Sequence, residues 1–395
     1  MHLTIVSPFP PAITGIGQYG YHMTRTLAQS GSFARLTVLA GASEPIQPTG
    51  DLETVDVDYC WSPGDYATRR HLLGKLQDLR PDLVWFNLGS SVFGRSALVN
   101  LSGWLTPLWT QRLGFPTVIT LHELPETADL RALNAPGGPL APLGARLLTE
   151  IATRADVVCL TMRHYVETLR ARQIDCAYIP IGAYHEPDLL EESPNQNLLF
   201  FTTLAPFKGL ETLLAAFETL RQRFPCLTLT IAGTEHIRFP NYGQALKEQY
   251  HQTEGIRWLG QVDEDQVKGL FQQAQIVVLP YLASTGSSSV LYQAATWGRP
   301  IVASDLPEIC ALIRDNNLKI NCFERGNAAS LVEALITLLT MPRQRAQQAS
   351  HNFSAIQTTR PKATCNRYIE VFNRAIQKRG SLRRIRVPTE TLELG

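Results

Sequence analysis

The chain has 395 residues, of which 44% are hydrophobic and 18% are charged, and its formal net charge is +1 at pH 7. This composition excludes a disordered chain, and the near-zero charge gives no general argument for nucleic-acid binding. The length predicts two or three domains with sizeable cores. Seven cysteines without a C-x-x-C pair favour a reduced protein without a zinc site. The first residues lack the pattern of a signal peptide and no apolar run could span a bilayer, so we expect a cytoplasmic protein.

Candidate strands and helices alternate along the whole chain. Short apolar runs predict strands at residues 3–7, 36–39, 54–58, 83–87, 117–121, 157–160 and 177–179, and again at residues 198–202, 227–232, 256–259, 276–279 and 301–303. Amphipathic stretches predict helices between them, including residues 19–29, 140–153, 210–223, 242–252 and 264–273. Strands that alternate with helices are typical of parallel sheets covered on both faces.

An acidic, proline-bearing segment at residues 185–196 separates the two halves and has the composition of a linker. We therefore predict two doubly wound, Rossmann-like α/β domains, residues 1–190 and 191–360, that face each other across a cleft. A helix at about residues 361–380 is expected to pack back on the first domain. Ligands of such sheets bind at the carboxyl ends of the strands.

The stretch from residue 280 to residue 305 joins a strand to a helix through a loop of small polar residues. Gly286, Ser287, Ser288 and Ser289 lie where the predicted helix begins. Free backbone N–H groups and the positive end of the helix dipole at such a point suit a phosphate or a carboxylate. An ordinary loop with serine caps is the alternative.

A glycine-rich loop precedes the first predicted helix, and Gly15, Gly17 and Gly20 match the pattern G-x-G-x-x-G. A dinucleotide site needs these glycines directly after the first strand, and an acidic residue at the end of the second strand. Residues 8–14 intervene, and the second strand ends without an acid. We therefore expect no NAD site. A flexible glycine loop that faces the cleft is favoured, with a tight turn into the helix as the alternative.

Two titratable residues follow predicted strands. His122 closes the strand at residues 117–121, where it can face a ligand and shift protons near neutral pH. Lys208 lies between the first strand and the first helix of the second half, where it can carry charge to a phosphate. A hydrogen-bonded loop histidine and a solvated lysine are the respective alternatives.

A series of short segments adds context. They span residues 10–20, 119–122, 155–160, 179–182, 207–209, 229–233, 258–262, 274–280 and 298–304. In this order, from Leu3 to about Leu339, they resemble the family 4 glycosyltransferases, which have the GT-B fold. The resemblance implies transfer of a hexose from a nucleotide sugar to a hydroxyl acceptor, with retained anomeric configuration. It implies a donor site in the second domain, with Val262 beside the nucleotide base, and an acceptor site in the first.

The donor motif departs from the pattern of the family. The paired glutamates of the family would fall at Thr285 and Gln293, and the arginine that joins the lysine on the diphosphate would fall at Thr203. We interpret these changes as an altered donor pocket, in which Gln293 holds ribose or sugar hydroxyls. A degenerate site is the alternative.

The resulting prediction is a cytoplasmic, retaining hexosyltransferase with no cofactor and no metal, since no carboxylate cluster suggests one. Lys208 and the N–H groups of residues 286–289 would stabilise the leaving diphosphate. His122 would position the donor sugar or the acceptor, and Gly15 and Gly17 would let the cleft close. The acceptor would be a carbohydrate, a lipid-linked or a small-molecule hydroxyl. A nucleotide-sugar epimerase of the same fold and a non-catalytic partner that binds sugar nucleotides are the alternatives.

A basic tail and an apolar patch would suit contact with an anionic membrane at its inner face, where lipid-linked acceptors lie. The tail contains Lys378, Arg379, Arg383, Arg384 and Arg386, and the patch contains Trp104, Leu105, Leu108 and Trp109. A solvated tail and a buried helix are the alternative.

Overall fold

The structure is a computed structural model that describes residues 1–10, 14–41, 52–89, 91–94, 96–127, 141–236, 238–284, 286–380 and 385. The described residues form two compact units. One contains residues up to Tyr184 together with those from Pro361 onward, and the other contains His185–Arg360. Each unit is built on one sheet of parallel strands, so the predicted α/β architecture is confirmed.

The first unit has seven strands and a set of surrounding helices. Its strands are β1 (His2–Pro8), β2 (Arg35–Gly41), β3 (Val55–Trp61), β4 (Leu83–Leu88), β5 (Thr117–Leu121), β6 (Val157–Leu160) and β7 (Cys176–Tyr178). They form a parallel sheet of order β3-β2-β1-β4-β5-β6-β7. The helices are α1 (Gly15–Gln29), α2 (Thr68–Leu79), α3 (Ala97–Trp104), α4 (Thr106–Arg112), α5 (Ala141–Ala152) and α6 (Arg163–Arg170).

The central strands of this sheet are buried on both faces. Every residue of β4 and of β5 is buried, which explains their near-continuous apolar sequences. The register pairs Val6 of β1 with Phe86 of β4, and Asn87 of β4 with Thr120 of β5. The ends of these three strands therefore meet at one edge of the sheet.

The second unit repeats this arrangement with six strands. They are β8 (Asn197–Phe201), β9 (Thr228–Ala232), β10 (Ile256–Gly260), β11 (Ile276–Leu279), β12 (Ile301–Ser304) and β13 (Asn321–Phe323). The sheet is parallel, with order β10-β9-β8-β11-β12-β13. The helices are α7 (Leu210–Arg223), α8 (Tyr242–Gln249), α9 (Glu264–Gln273), α10 (Ser289–Thr296), α11 (Pro307–Asp315), α12 (Ala328–Thr340) and α13 (Pro342–Ile356).

A C-terminal helix, α14 (Pro361–Lys378), packs on the first unit through a buried hydrogen-bond network. The hydroxyl of Tyr368 lies 2.6 Å from that of Tyr19 and 2.9 Å from Oγ1 of Thr120. Trp85 donates its indole N–H to the same Thr120 oxygen over 2.9 Å. Burial raises the pKa of both tyrosines, which therefore stay protonated and act as neutral hydrogen-bond partners.

The start of the second unit is held by one buried guanidinium. Arg299 is 1% exposed, and it donates hydrogen bonds to the carbonyl oxygens of Leu190, Glu191, Ala274 and Trp297. A hydrogen bond to a charged group contributes about 1.5–3 kcal/mol, so this set offsets the cost of burying the cation. The acidic stretch predicted as a linker is therefore attached to the second unit over part of its length.

None of the helices in the described part of the chain combines the length and the hydropathy needed to cross a membrane.

Candidate functional site

In the first unit, His122 belongs to a network at the carboxyl ends of three strands. Its Nε2 lies 2.6 Å from Oδ1 of Asn87. The amide nitrogen of Asn87 donates to Oγ of Ser7 and to the carbonyl oxygen of Ile16, each over 2.9 Å. Because Oδ1 can only accept a hydrogen bond, Nε2 of His122 must carry a proton. In the neutral imidazole, Nδ1 is then an acceptor.

The surroundings of His122 favour the neutral ring. Tyr19 packs edge-on against the imidazole with a centroid distance of 4.7 Å. Burial lowers the pKa of His122 from 6.5 to about 4. Since the ring stays neutral near pH 7, it is suited to accept a hydrogen bond from a ligand hydroxyl. The expectation that His122 titrates near neutral pH does not fit this environment.

The prediction of a flexible glycine loop is wrong, because Gly15, Gly17 and Gly20 lie within the first two turns of α1. Thr14 caps the helix, and its Oγ1 accepts the N–H of Gly17 over 2.9 Å. Gly15 is exposed, and a Cβ added to it would meet no atom of the described residues within 4 Å. A Cβ on Gly20 would lie 2.3 Å from Oγ of Ser7, which explains the third glycine. The N–H of Gly17 is therefore already occupied by the cap, whereas Gly15 leaves open space for a ligand.

In the second unit, Lys208 lies at the carboxyl end of the sheet. It ends a short 3₁₀ helix, Pro206–Lys208, that connects β8 to α7. Its ammonium lies 4.0 Å from the centroid of the Tyr281 ring and 5.8 Å from that of Phe207. Such a cation–π contact contributes about 0.5–2 kcal/mol. The lysine is therefore held by aromatic rings, and no carboxylate among the described residues pairs with its ammonium, so the solvated-lysine alternative does not describe it.

Thr203 and Val262, two further predicted donor-site residues, each follow a strand of the second sheet. Thr203 follows β8 and is partly buried, between Thr202, whose N–H donates to the carbonyl oxygen of Ala232 at the end of β9, and Leu204, whose N–H donates to that of Thr234. Val262 follows β10 and is partly buried just before α9. Because parallel strands end at one edge, both residues lie on the same side of the sheet as Lys208. Neither contributes a charge.

The polar loop before α10 leaves the helix N-terminus without a side-chain cap. Ser288 is the N-cap residue, with φ −95° and ψ 112°, and its side chain makes no capping hydrogen bond. Ser284 instead folds over the loop, and its Oγ donates to the carbonyl oxygen of Gly286 over 3.0 Å. Oγ of Ser287 is shielded from solvent and pairs with no described residue. The serine-capped alternative is therefore wrong, and within the described part of the chain no side chain caps the first N–H groups of α10, which together with the hydroxyl of Ser289 suit an anion.

Gln293 lies on the second turn of α10 and is 8% exposed. In the described ranges, no side chain or backbone group is hydrogen-bonded to its amide. It remains suited to a neutral contact with a hydroxyl. The predicted counterpart Thr285 lies outside the described residues.

Two residues at this edge of the second sheet escaped the sequence analysis. His236 and Arg238 lie in the segment after β9, beside the loop that carries Lys208. Burial, then the charges of Arg238 and Lys208, lower the pKa of His236 to about 4. The available signal was position, since both residues follow the predicted strand at residues 227–232.

The apolar patch of the first unit differs from its prediction. Trp104, the last residue of α3, is fully buried and belongs to the core rather than facing solvent. Leu105 and Leu108 are partly buried. The exposed apolar side chains in this region are Leu98, Trp109, Leu113, Leu143 and Leu147, on or next to α3, α4 and α5.

The described part of the basic tail is engaged in ion pairs. Lys378 pairs with Asp175 over 2.5 Å, and Arg379 pairs with Asp156 over 2.9 Å. These contacts attach α14 to the first unit, so these two residues are not a free basic tail. Arg383, Arg384 and Arg386 lie outside the described residues.

Two family models match the chain. The glycosyl transferase 4-like domain matches residues 14–182, and the family described as glycosyl transferases group 1 matches residues 195–341. Together the two matches span most of both units. The chain therefore belongs to the family 4 glycosyltransferases, as the resemblance predicted.

Individual relatives agree with this family. The phosphatidyl-myo-inositol mannosyltransferase of Mycobacterium leprae is 28% identical over 245 residues, 59% of this chain and 60% of that one. The match with this chain covers 38% to 61% of the length of the relatives that carry this name.

Solved structures agree with the fold. Sucrose-phosphate synthase from Thermosynechococcus elongatus superposes with a TM-score of 0.74 at 15% identity, over 96% of this chain and 100% of that one. Anabaena HepE in complex with UDP-glucose gives a TM-score of 0.69 at 17% identity, over 94% and 99% of the two chains. At these identities the likeness shows the fold, which is GT-B.

The partly buried, neutral state of His122 predicts a pH-dependent stability. The unfolded chain protonates this residue near 6.5 and the folded chain near 4, so between these values the unfolded state binds more protons. The free energy of unfolding should therefore fall as the pH falls through this window. His122→Asn should remove part of that fall. Melting temperatures at about pH 7 and about pH 5 check it, with His251→Asn, on an exposed histidine, as the matched control. Equal acid sensitivity of wild type and His122→Asn would contradict the assignment.

Proposed function

We propose that the chain transfers a hexose from a nucleoside-diphosphate sugar to a hydroxyl acceptor, with retention of the anomeric configuration. One observation carries the proposal. The ammonium of Lys208 lies over Tyr281 after β8, and the neighbouring strand β11 leads to an uncapped helix N-terminus at Ser288, on the same edge of the second sheet. A cation and free N–H groups are what a diphosphate needs.

The similarity to known proteins supports a nucleotide sugar as the donor. The structure of HepE contains UDP-glucose, and the Mycobacterium leprae relative is named a mannosyltransferase. We assign the donor to the second domain and the acceptor to the first, with the boundary near residue 190. The thermal-shift screen of nucleotide sugars identifies the base and the hexose of the donor.

In the proposed reaction, the bond between the anomeric carbon and the diphosphate breaks while the acceptor hydroxyl attacks from the same face. The leaving phosphate oxygen takes the proton of that hydroxyl. Lys208 and the N–H groups at the start of α10 stabilise the charge that develops on the diphosphate. In this proposal, protein groups alone neutralise the charge of the leaving diphosphate, with no cofactor and no metal ion.

Other polar groups in the second domain would hold the sugar or the ribose. Gln293 can donate to one hydroxyl and accept from another, whereas a glutamate at this position could only accept. The shielded Oγ of Ser287, which is hydrogen-bonded to no described residue, is a second partner. The buried, uncharged amide of Gln293 agrees better with an altered donor pocket than with a degenerate site.

His122 has a separate role in the first domain. Its protonated Nε2 is fixed by Asn87, which leaves the unprotonated Nδ1 to accept a hydrogen bond from a sugar or acceptor hydroxyl. The open space at Gly15 would admit part of a ligand at the start of α1. Both residues would bind and orient the reactants rather than transfer a proton.

We also propose that the protein acts at the inner face of a membrane on a lipid-linked hydroxyl. Leu143 and Leu147 are exposed four residues apart on α5, so they share one face of the helix. Trp109 is exposed on α4, with the guanidinium of Arg112 5.2 Å from its ring centroid, and Arg146 is exposed on α5. Apolar side chains beside arginines suit an anionic lipid surface. The name of the mannosyltransferase relative, which includes a phosphatidylinositol, supports this acceptor class.

The donor assignment is tested by binding and turnover. UDP-glucose and GDP-mannose, screened by thermal shift, should include one donor that raises the melting temperature by mass action. Lys208→Ala should then lower transfer at least about tenfold, or ~1.4 kcal/mol of transition-state stabilisation. Lys247→Ala, at an exposed position on α8, is the matched control and should behave as wild type.

Other outcomes of this experiment would overturn the proposal. Conversion of the nucleotide sugar in the absence of an acceptor would indicate an epimerase. Donor binding without transfer to any acceptor would indicate a non-catalytic partner. Unchanged kinetics of Lys208→Ala would remove this residue from the site.

The membrane assignment is tested by sedimentation with vesicles of phosphatidylcholine, with and without phosphatidylglycerol. The wild type should sediment preferentially with the anionic vesicles. Leu143→Ser combined with Leu147→Ser should reduce the bound fraction several-fold, because exposed apolar area is lost. Met341→Ser, at a position 53% exposed in the second unit, is the control. Equal binding of all three proteins would refute the proposed surface.

A further inference from the structure

The segment after β9 is tied to the loop that carries Lys208. The N–H of Leu204 donates to the carbonyl oxygen of Thr234 over 2.8 Å, and the N–H of His236 donates back to Leu204 over 2.9 Å. Gly233 has φ +137°, and a Cβ there would lie 1.9 Å from the carbonyl oxygen of Thr202. The two strand ends therefore approach closely, and only glycine permits the contact.

Aromatic packing holds the imidazole of His236 beside this loop. Its ring centroid lies 5.6 Å from that of Phe207, the residue before Lys208, and 5.7 Å from that of Phe239. Phe207 and Phe239 are themselves 5.9 Å apart. Three mutually contacting rings restrict the orientation of the imidazole.

The hydrogen bonds of His236 define which nitrogen carries the proton. The backbone N–H of Arg238 donates to Nδ1 over 3.2 Å, so Nδ1 is unprotonated. The low pKa of about 4 keeps the ring neutral at pH 7. The proton is then on Nε2, and across the described ranges no acceptor is hydrogen-bonded to it. His236 thus presents an N–H donor beside Lys208.

The charges around this donor are positive. Arg238 and Lys208 are the charged side chains that act on His236 among the described residues, and both lower its pKa. The guanidinium of Arg238 lies 5.6 Å from the centroid of Phe239 and keeps its charge at every accessible pH. Two cations and an N–H donor, with no carboxylate acting on the imidazole, form a site for an anion.

We propose that His236 and Arg238 complete the diphosphate site of the second domain, replacing the arginine expected at Thr203. This inference rests on the proposed function, which supplies the diphosphate. Nε2 of His236 donates to a non-bridging phosphate oxygen, and Arg238 provides the second positive charge alongside Lys208. The loop after β9 thereby supplies the positive charge that is missing at Thr203, in the loop after β8.

The experiment is calorimetric titration of the full chain with UDP and with GDP. His236→Ala and Arg238→Gln should each weaken binding of the nucleoside diphosphate about tenfold, as expected for loss of a charge-assisted hydrogen bond. His236→Gln should retain most of the affinity, because its amide N–H reaches a position similar to that of Nε2. The matched controls are His251→Ala and Arg257→Gln, both at exposed positions of the same unit.

The outcomes separate this inference from the proposed function. If the wild type binds neither UDP nor GDP, the proposed function fails first. If the wild type binds but His236→Ala and Arg238→Gln bind equally well, the diphosphate role of this loop is wrong. If His236→Gln loses as much affinity as His236→Ala, and both melt at a lower temperature, the histidine serves only to pack the loop.

Discussion

The close approach of Gly209 to the carbonyl oxygen of Pro280 determines the geometry of the second unit's site. Gly209 has φ +69°, and a Cβ at this position would lie 1.8 Å from that oxygen. The approach lets the carbonyl oxygen of Phe207 accept the N–H groups of Leu282 and Ala283. Two loops from neighbouring strands are thereby joined, and Lys208 is brought over the ring of Tyr281. A larger residue at position 209 would separate the cation from the loop that precedes α10.

This constraint explains how the site can differ from the family pattern and keep its chemistry. A diphosphate needs positive charge and hydrogen-bond donors, and it does not require that they come from fixed sequence positions. In the proposed site, Lys208 would supply one charge and the open start of α10 would supply N–H groups, and Arg238 lies within electrostatic reach of the same cluster. Gln293 would stand there as a neutral contact in place of a glutamate. The first unit works by a different principle, since the network around His122 fixes a neutral acceptor.

Much of the fold could be predicted because its signals are local. The helix predicted to begin at residues 286–289 is α10, which begins at Ser289, and Gly298 adopts φ +61° just beyond it. The short strand β13 (Asn321–Phe323) was missed, since three residues with two polar or exposed positions carry no periodicity. The general positions of Lys208 and His122 at strand ends followed from the alternation of strands and helices.

The missed features depend on contacts between residues far apart in sequence. Arg299 was assigned only to a helix end, because its partners are backbone oxygens that leave no trace in the sequence. The role of His236 required its edge-on packing against Phe207 and the tautomer set by the backbone N–H of Arg238. The low pKa of His122 likewise results from burial within the folded unit. Spacing within one segment cannot reveal such interactions.

The most direct test of the account is hydrogen–deuterium exchange with and without the donor that binds best. The account predicts slower exchange at residues 203–209, 234–236 and 286–292 when the donor is present, because these backbone groups would be ordered or hydrogen-bonded by the diphosphate. Residues 328–356, in α12 and α13, should be unaffected. Saturating donor that leaves the three segments unprotected, or that protects only the first unit, would contradict the central claim that this edge of the second sheet binds the nucleotide sugar.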